Sequence, residues 1–193
     1  SELNTGSFDT HSFGEVRRAC DVLSKREIYI NDDSMLTAID FRTRCRRFKT
    51  KHPDLGLIIV DYLQLMNSGT ANPSNSRQQE VADISRMLKA VARELNCPVV
   101  ALSQLSRAAE QRTEKKPQLS DLRDSGAIEQ DADVVILLFR EDYYSDNEHN
   151  DEQDSKADIR VAKNRNGSTG TFPLTFRREF TRFMNYGENY PGN

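Results

Sequence analysis

The chain has 193 residues, 27 of them basic and 30 acidic, for a formal net charge of -3, and 36% are hydrophobic. That length holds one domain with a sizeable core rather than two, and the charge excludes global attraction to phosphate, so any nucleic-acid contact must come from a local patch. No apolar run approaches the roughly 20 residues of a membrane helix, and the opening residues do not read as a signal peptide.

Cys20, Cys45 and Cys97 are far apart, and His11, His52 and His149 are equally scattered. Neither a disulfide framework nor a zinc site is expected, and the thiols read as reduced core cysteines of a cytosolic protein. After a polar opening, Phe13, Val16, Cys20 and Leu23 recur at helical spacing, which makes residues 1–24 a helical lead-in. Glu27 to Asn31 follows as a short strand. Thr37 with Asp40 three residues on has the form of a capping box, opening a helix with Phe41, Cys45 and Phe48 on one face. Its other face carries Arg42, Arg44, Arg46, Arg47, Lys49 and Lys51. That face suits a phosphate-binding surface or, the reading we prefer, a solvated face beside an acidic neighbour. His52-Pro53-Asp54 ends the helix.

Leu57-Ile58-Ile59-Val60 then runs unbroken into Asp61, the pattern of a strand buried on both faces and ending at the carboxyl edge of a parallel sheet. Ligands of open α/β sheets bind beyond such edges. A carboxylate there can hold Mg²⁺ on a nucleoside triphosphate through a water, the Walker B arrangement, or can simply cap the turn after a core strand. Asn67 to Ser76 reads as a loop. Val81, Ile84, Leu88, Val91 and Leu95 mark an amphipathic helix that Asn96 ends, and Cys97 to Gln104 is a second buried strand. A right-handed crossover would set Asp61 and Gln104 on neighbouring strand tips. An amide there can bond a terminal phosphate or a water, or serve only as a loop cap.

From Ser106 to Asp133 the chain is polar and irregular, with Arg107, Arg112, Lys115, Lys116 and Arg123 spaced through it. Asp121 to Asp133 reads as a turn and short helix leading into a strand over Val134 to Phe139, with Gly126 placed to let the backbone approach a ligand closely. Residues 141–154 hold seven acids in fourteen positions and read as an acidic, disordered loop. Strands over Asp158 to Lys163, Thr171 to Arg177 and Phe180 to Asn185, with turns at Asn166-Gly167 and Arg178-Glu179, make the end of the chain antiparallel.

Four blocks in this order carry a resemblance: Ile59-Val60-Asp61-Tyr62-Leu63-Gln64-Leu65-Met66, then Val100-Ala101-Leu102-Ser103-Gln104-Leu105-Ser106-Arg107, then Asp121-Leu122-Arg123-Asp124-Ser125-Gly126-Ala127-Ile128-Glu129-Gln130-Asp131-Ala132-Asp133, then Lys163-Asn164-Arg165-Asn166-Gly167. From about Lys25 to Tyr186 the chain resembles the carboxy-terminal ATPase domain of the DnaB-family replicative helicases. The resemblance implies a RecA-like α/β fold, a mostly parallel sheet flanked by helices with an antiparallel end, truncated at its amino-terminal side and occupying 1–193 as one partial domain. It implies ATP and Mg²⁺ as cofactors, with Asp61 as the Walker B carboxylate and Gln104 as the sensor of the γ-phosphate. Lys163 and Arg165 match the pair that reaches the neighbouring subunit's nucleotide. Arg123, Asp124 and Gly126 match the loop that grips single-stranded DNA. The implied partners are single-stranded DNA, five further copies in a homohexamer, a helicase loader and primase, in the cytoplasm and without a membrane.

Departures from that pattern are equally definite. No Gly-Lys-Ser or Gly-Lys-Thr phosphate loop occurs in the 193 residues, and the family's water-activating glutamate and ring-building amino-terminal domain lie upstream of Ser1. With no initial methionine, the chain reads as a fragment that is inactive as an ATPase on its own. Two other readings stay open: a different RecA-like ATPase, such as a RadA-type recombinase or phage primase-helicase, and a non-catalytic module that binds DNA or a loader.

Overall fold

The computed structural model describes residues 10–33, 36–67, 69, 76–106, 112, 115–140, 142 and 154–187, with only the backbone at 10, 11 and 123–125. In chain order the elements are α1 (Thr10–Ser24), α2 (Ala38–Lys51), β1 (Ile58–Val60), a 3-10 turn at Leu63–Leu65, α3 (Arg77–Leu95) and β2 (Val99–Ala101). A 3-10 segment at Leu119–Ser125 leads into α4 (Gly126–Asp131), β3 (Val134–Arg140), β4 (Ser155–Asn164), β5 (Gly170–Arg177) and β6 (Arg182–Asn185). β1 and β2 pair in parallel, and β3-β4-β5-β6 form an antiparallel sheet in chain order. The α/β class is as expected. Parallel pairing among the described strands is confined to β1 and β2, and the antiparallel end is the larger sheet.

Local chemistry sets the helix ends. The Thr37 hydroxyl accepts the Asp40 N–H at 3.1 Å and donates to the Asp40 carboxylate at 2.6 Å, which starts α2. Ser76 caps α3 by accepting from the Gln79 N–H at 3.3 Å, and Asn96, left-handed with φ 45°, closes that helix. The apolar stripe of α3, Val81, Ile84, Leu88 and Val91, packs with Phe41 of α2, Val60 of β1, and Leu63 and Met66 beyond it. Ile84 and Val91 are fully enclosed. A smaller cluster of Leu122, Val135 and Leu137 joins the 3-10 segment to β3.

Three expectations are corrected. Residues 27–33 form no strand. Their backbone meets no strand to pair with, and Tyr29 instead rests its ring on Phe48 and His52, with centroids 4.7 Å away in each case. β1 is not buried on both faces: Val60 enters the helix-covered core, while Ile59 points away and is 62% exposed, as Leu57, Val100 and Leu102 are also exposed. Cys20 lies exposed on α1, whose Phe13 and Leu23 are likewise uncovered by the described residues, so only Cys97 is a core thiol. Cys45 is half-buried, and burial, with Cys97 nearby, pushes its thiol up to about 11.

The basic face of α2 has acidic neighbours, as preferred from the sequence. Arg42 and Arg46 each meet the Glu94 carboxylate of α3 at 2.8 Å, and Arg44 pairs with Asp33. Of the acidic stretch 141–154, only Asp142 and Asp154 are among the described residues. Burial alone would raise the Asp142 carboxyl, but hydrogen bonds from Arg140 and Arg178 and the Arg140 charge outweigh it and hold it at about 2.

Candidate functional site

Parallel pairing aligns Val60 with Ala101, so the chain leaves β1 and β2 at the same sheet edge. The Leu102 N–H donates to the Val60 carbonyl at 2.9 Å, and the Leu63 N–H returns to the Leu102 carbonyl at 2.8 Å. Asp61 stands exposed at this edge, and its carboxylate has no hydrogen-bond or ion-pair partner among the described residues. Gln104 lies on the neighbouring strand's extension, as the crossover requires. The side chain bonded to it is Gln64 rather than Asp61. The Gln64 amide donates to the Ser103 hydroxyl at 3.0 Å and to the Gln104 carbonyl at 3.1 Å, and its oxygen accepts the Gln104 N–H at 3.2 Å.

A lone, solvent-facing carboxylate fits Mg²⁺, which keeps several waters and takes its remaining ligands from substrate phosphates. An all-protein cage is not formed: no group of three His, Cys, Asp or Glu side chains could hold a metal among the described residues. A cleft of about 950 Å³ opens beside Asp61, but Ile28, Tyr29, Phe48 and Ile59 make it largely apolar. Its Arg44 is occupied by Asp33.

Lys163 and Arg165 gather at the far end of α4. The Lys163 ammonium donates to the Glu129 and Gln130 carbonyls at 2.5 and 3.3 Å, where a cation suits the negative end of a helix. Arg165 donates its backbone N–H to the Asp133 carbonyl at 2.8 Å. Its guanidinium lies 3.3 Å from the Asp133 carboxylate and 3.4 Å from the Gln130 carbonyl. Asp133 also pairs with Lys89 of α3. That hydrogen bond, against slight desolvation and with the charges of Lys89, Arg165 and Arg93, holds the Asp133 carboxyl below its usual value. Neither Lys163 nor Arg165 bonds to Asp61 or Gln104 among the described residues.

Arg123 and Asp124 fall in the 3-10 segment that runs into α4, and their side chains lie outside the described residues. Gly126 has φ -50° and ψ -24°, ordinary right-handed helix. What the missing Cβ leaves is open surface, with nothing within 4 Å of where it would stand. The segment is anchored by the buried Asp121, whose carboxylate accepts the Gln118 N–H at 2.7 Å and the Arg112 guanidinium at 2.5 Å. Sequence reasoning missed Gln64, Asp121 and Asp133. A polar residue set inside Tyr62-Leu63-Gln64-Leu65-Met66 was the one local hint of the first.

A parallel strand pair with its crossover helix on one face, a carboxylate at the strand's carboxyl edge and an antiparallel sheet at the end define an α/β domain of the RecA-like class. The family described as the DnaB-like helicase C terminal domain matches residues 1–185, and the chain belongs to that family. It is 47% identical over 183 residues to the replicative DNA helicase DnaB of Geobacillus stearothermophilus and 46% identical to the replicative DNA helicase DnaC of Bacillus subtilis. Each of those matches covers 95% of this chain and 39% of the relative, so the chain spans about two fifths of their length. Among solved structures, one of an ATPase domain superposes with a TM-score of 0.83 at 37% identity, over 95% of this chain and 63% of that one. A DnaB-like replicative helicase studied for its interactions with primase gives 0.81 at 38% identity, over 93% of this chain and 42% of that one.

Proposed function

We propose that this chain is part of the motor of a cytoplasmic replicative DNA helicase, which couples ATP hydrolysis to movement along single-stranded DNA and to unwinding of the duplex. The observation that carries the reading is the sheet edge. Asp61, without a partner among the described residues, stands at the carboxyl end of β1, and Gln104 is bonded to the turn three residues beyond it. In this reading Asp61 holds Mg²⁺ through a water and Gln104 senses the γ-phosphate. Lys163 and Arg165 act on the nucleotide of the next subunit in a homohexamer. Arg123, Asp124 and Gly126 face the DNA backbone. Primase and a loader are the partners the family resemblance suggests, and the relative studied with primase supports the first.

These 193 residues contain no phosphate-binding Gly-Lys loop. The isolated polypeptide is accordingly expected to hydrolyse ATP no faster than a buffer control, even with single-stranded DNA present. Robust turnover abolished by Asp61→Ala would show instead that these residues suffice for a working site.

The DNA assignment is tested by fluorescence anisotropy of a labelled oligonucleotide across a salt series, using the full-length helicase that contains these residues with nucleotide bound. Each phosphate neutralised on a single strand contributes about 0.7 to the slope of log affinity against log salt. Arg123→Ala is expected to weaken binding to all sequences alike and to flatten the slope by about one such contact. Arg46, held by Glu94, is expected to do neither when replaced by Ala. An unchanged slope for Arg123→Ala beside a flattened one for Arg46→Ala would move the DNA site to α2.

A further inference from the structure

The route from the nucleotide edge to the DNA segment runs through one side chain to which nothing above gives a role. Gln64 sits in the 3-10 turn just past Asp61 and meets Gln104 as another strand would, accepting its N–H at 3.2 Å and donating to its carbonyl at 3.1 Å. A further bond to the Ser103 hydroxyl at 3.0 Å fixes the amide's orientation, because the NH₂ group faces two acceptors. The turn is braced from behind by Arg77 of α3, which donates to the Gln64 carbonyl at 2.6 Å. Beyond Gln104, Leu105 packs on the cluster that contains Leu122, and the Ser106 N–H donates to the Asp121 carbonyl at 3.0 Å. Asp121 and Leu122 immediately precede Arg123.

We infer that Gln64 is a positioning residue that couples the nucleotide state at the β1 edge to the DNA-gripping segment, by clamping the backbone of Gln104. This rests on the helicase reading above. With the Gln104 main chain held at its N–H and its carbonyl, its side chain, which has no partner among the described residues, can respond to a phosphate, and any shift of 104–106 moves the backbone that Asp121 and Leu122 share. If the amide is lost, that clamp is gone, and the two strand ends are tied through the Leu102 backbone bonds to Val60 and Leu63, two residues short of Gln104. Gln64→Ala removes the three side-chain bonds and leaves Arg77 on the backbone carbonyl. Gln64→Glu keeps the size and the acceptor but faces the Gln104 carbonyl with a second oxygen, which repels it.

The test uses the full-length hexamer and a fluorescein-labelled oligothymidylate. Its affinity is measured with Mg²⁺ and a non-hydrolysable ATP analogue, then with Mg²⁺ and ADP, and the ratio of the two dissociation constants reports the coupling. Both Gln64 variants are expected to lower that ratio by about tenfold, within the usual range of coupling between sites. Binding of a fluorescent ADP should stay within about twofold of wild type and the assembly should remain hexameric, readouts that a merely structural role would disturb. Retention of the wild-type ratio within about twofold by both variants overturns the inference. So does its loss in Gln64→Ala with retention in Gln64→Glu, which would assign the effect to volume. Should Gln64→Ala fail to assemble, the isosteric Gln64→Glu decides. A wild-type ratio of one would bring down the helicase reading and this inference together. A coupled wild type that is sensitive to Gln104→Ala but not to Gln64 changes brings down the inference alone.

Discussion

Arg165→Ala in the full-length helicase is expected to leave nucleotide binding nearly intact and to lower ATP hydrolysis by about 10³ to 10⁵, the usual worth of an arginine supplied in trans. A guanidinium spreads its donors over the charge that develops on the transferring phosphoryl group, and a donor lent across an interface makes hydrolysis depend on assembly. In the single chain the Arg165 side chain is half-exposed, and among the described residues it is held at 3.3 Å by Asp133 and 3.4 Å by the Gln130 carbonyl. Exposed pairs of this kind bind weakly, so the side chain can leave for a phosphate at small cost. Lys163 is held more firmly on α4, at 2.5 Å, and must exchange two carbonyls to do the same. The geometry is checked by doping Arg165→Ala subunits into wild-type rings. Loss steeper than the mutant fraction supports a coupled trans site. Activity that falls only in proportion to that fraction, as a sum of independent subunits, counts against it.

Ile84→Ala is expected to destabilise the 193-residue polypeptide by about 2–5 kcal/mol, the range for removing a fully enclosed aliphatic side chain and leaving a cavity. Ile84 is 0% exposed at the centre of the cluster that joins α2, α3 and β1. The turn that carries Gln64 shares that cluster through Leu63 and Met66. Urea denaturation followed by circular dichroism gives the shift in midpoint. Arg86→Ala on the exposed face of α3, where Arg86 pairs with Asp83 one turn away, should leave the midpoint within error of wild type. Equal shifts for the two variants would mean that α3 is not the centre of the core.

Whatever depends on neighbours along the chain could be read from the residues. The stripe from Val81 to Leu95 predicts α3, and Thr37 and Asn96 predict helix ends, because periodicity and capping act within a few residues. The apolar runs into Asp61 and Gln104 predict two strands with a crossover between them, and these pair in parallel as expected. The turns at Asn166-Gly167 and Arg178-Glu179 likewise anticipate the antiparallel end. Four ordered blocks sufficed to point to the family. Glu27 to Asn31, by contrast, has the composition of a strand but forms none, since a strand exists only where another backbone meets it. Exposure of Ile59 and Phe13 was equally illegible, because burial depends on what covers a face and not on the face itself. The bonds of Gln64 to Gln104, Lys163 to the end of α4, and Asp133 to Lys89 and Arg165 join residues 32 to 44 positions apart in sequence. No local pattern encodes such partners. They follow from the crossover and the sheet register, which only the packed chain decides.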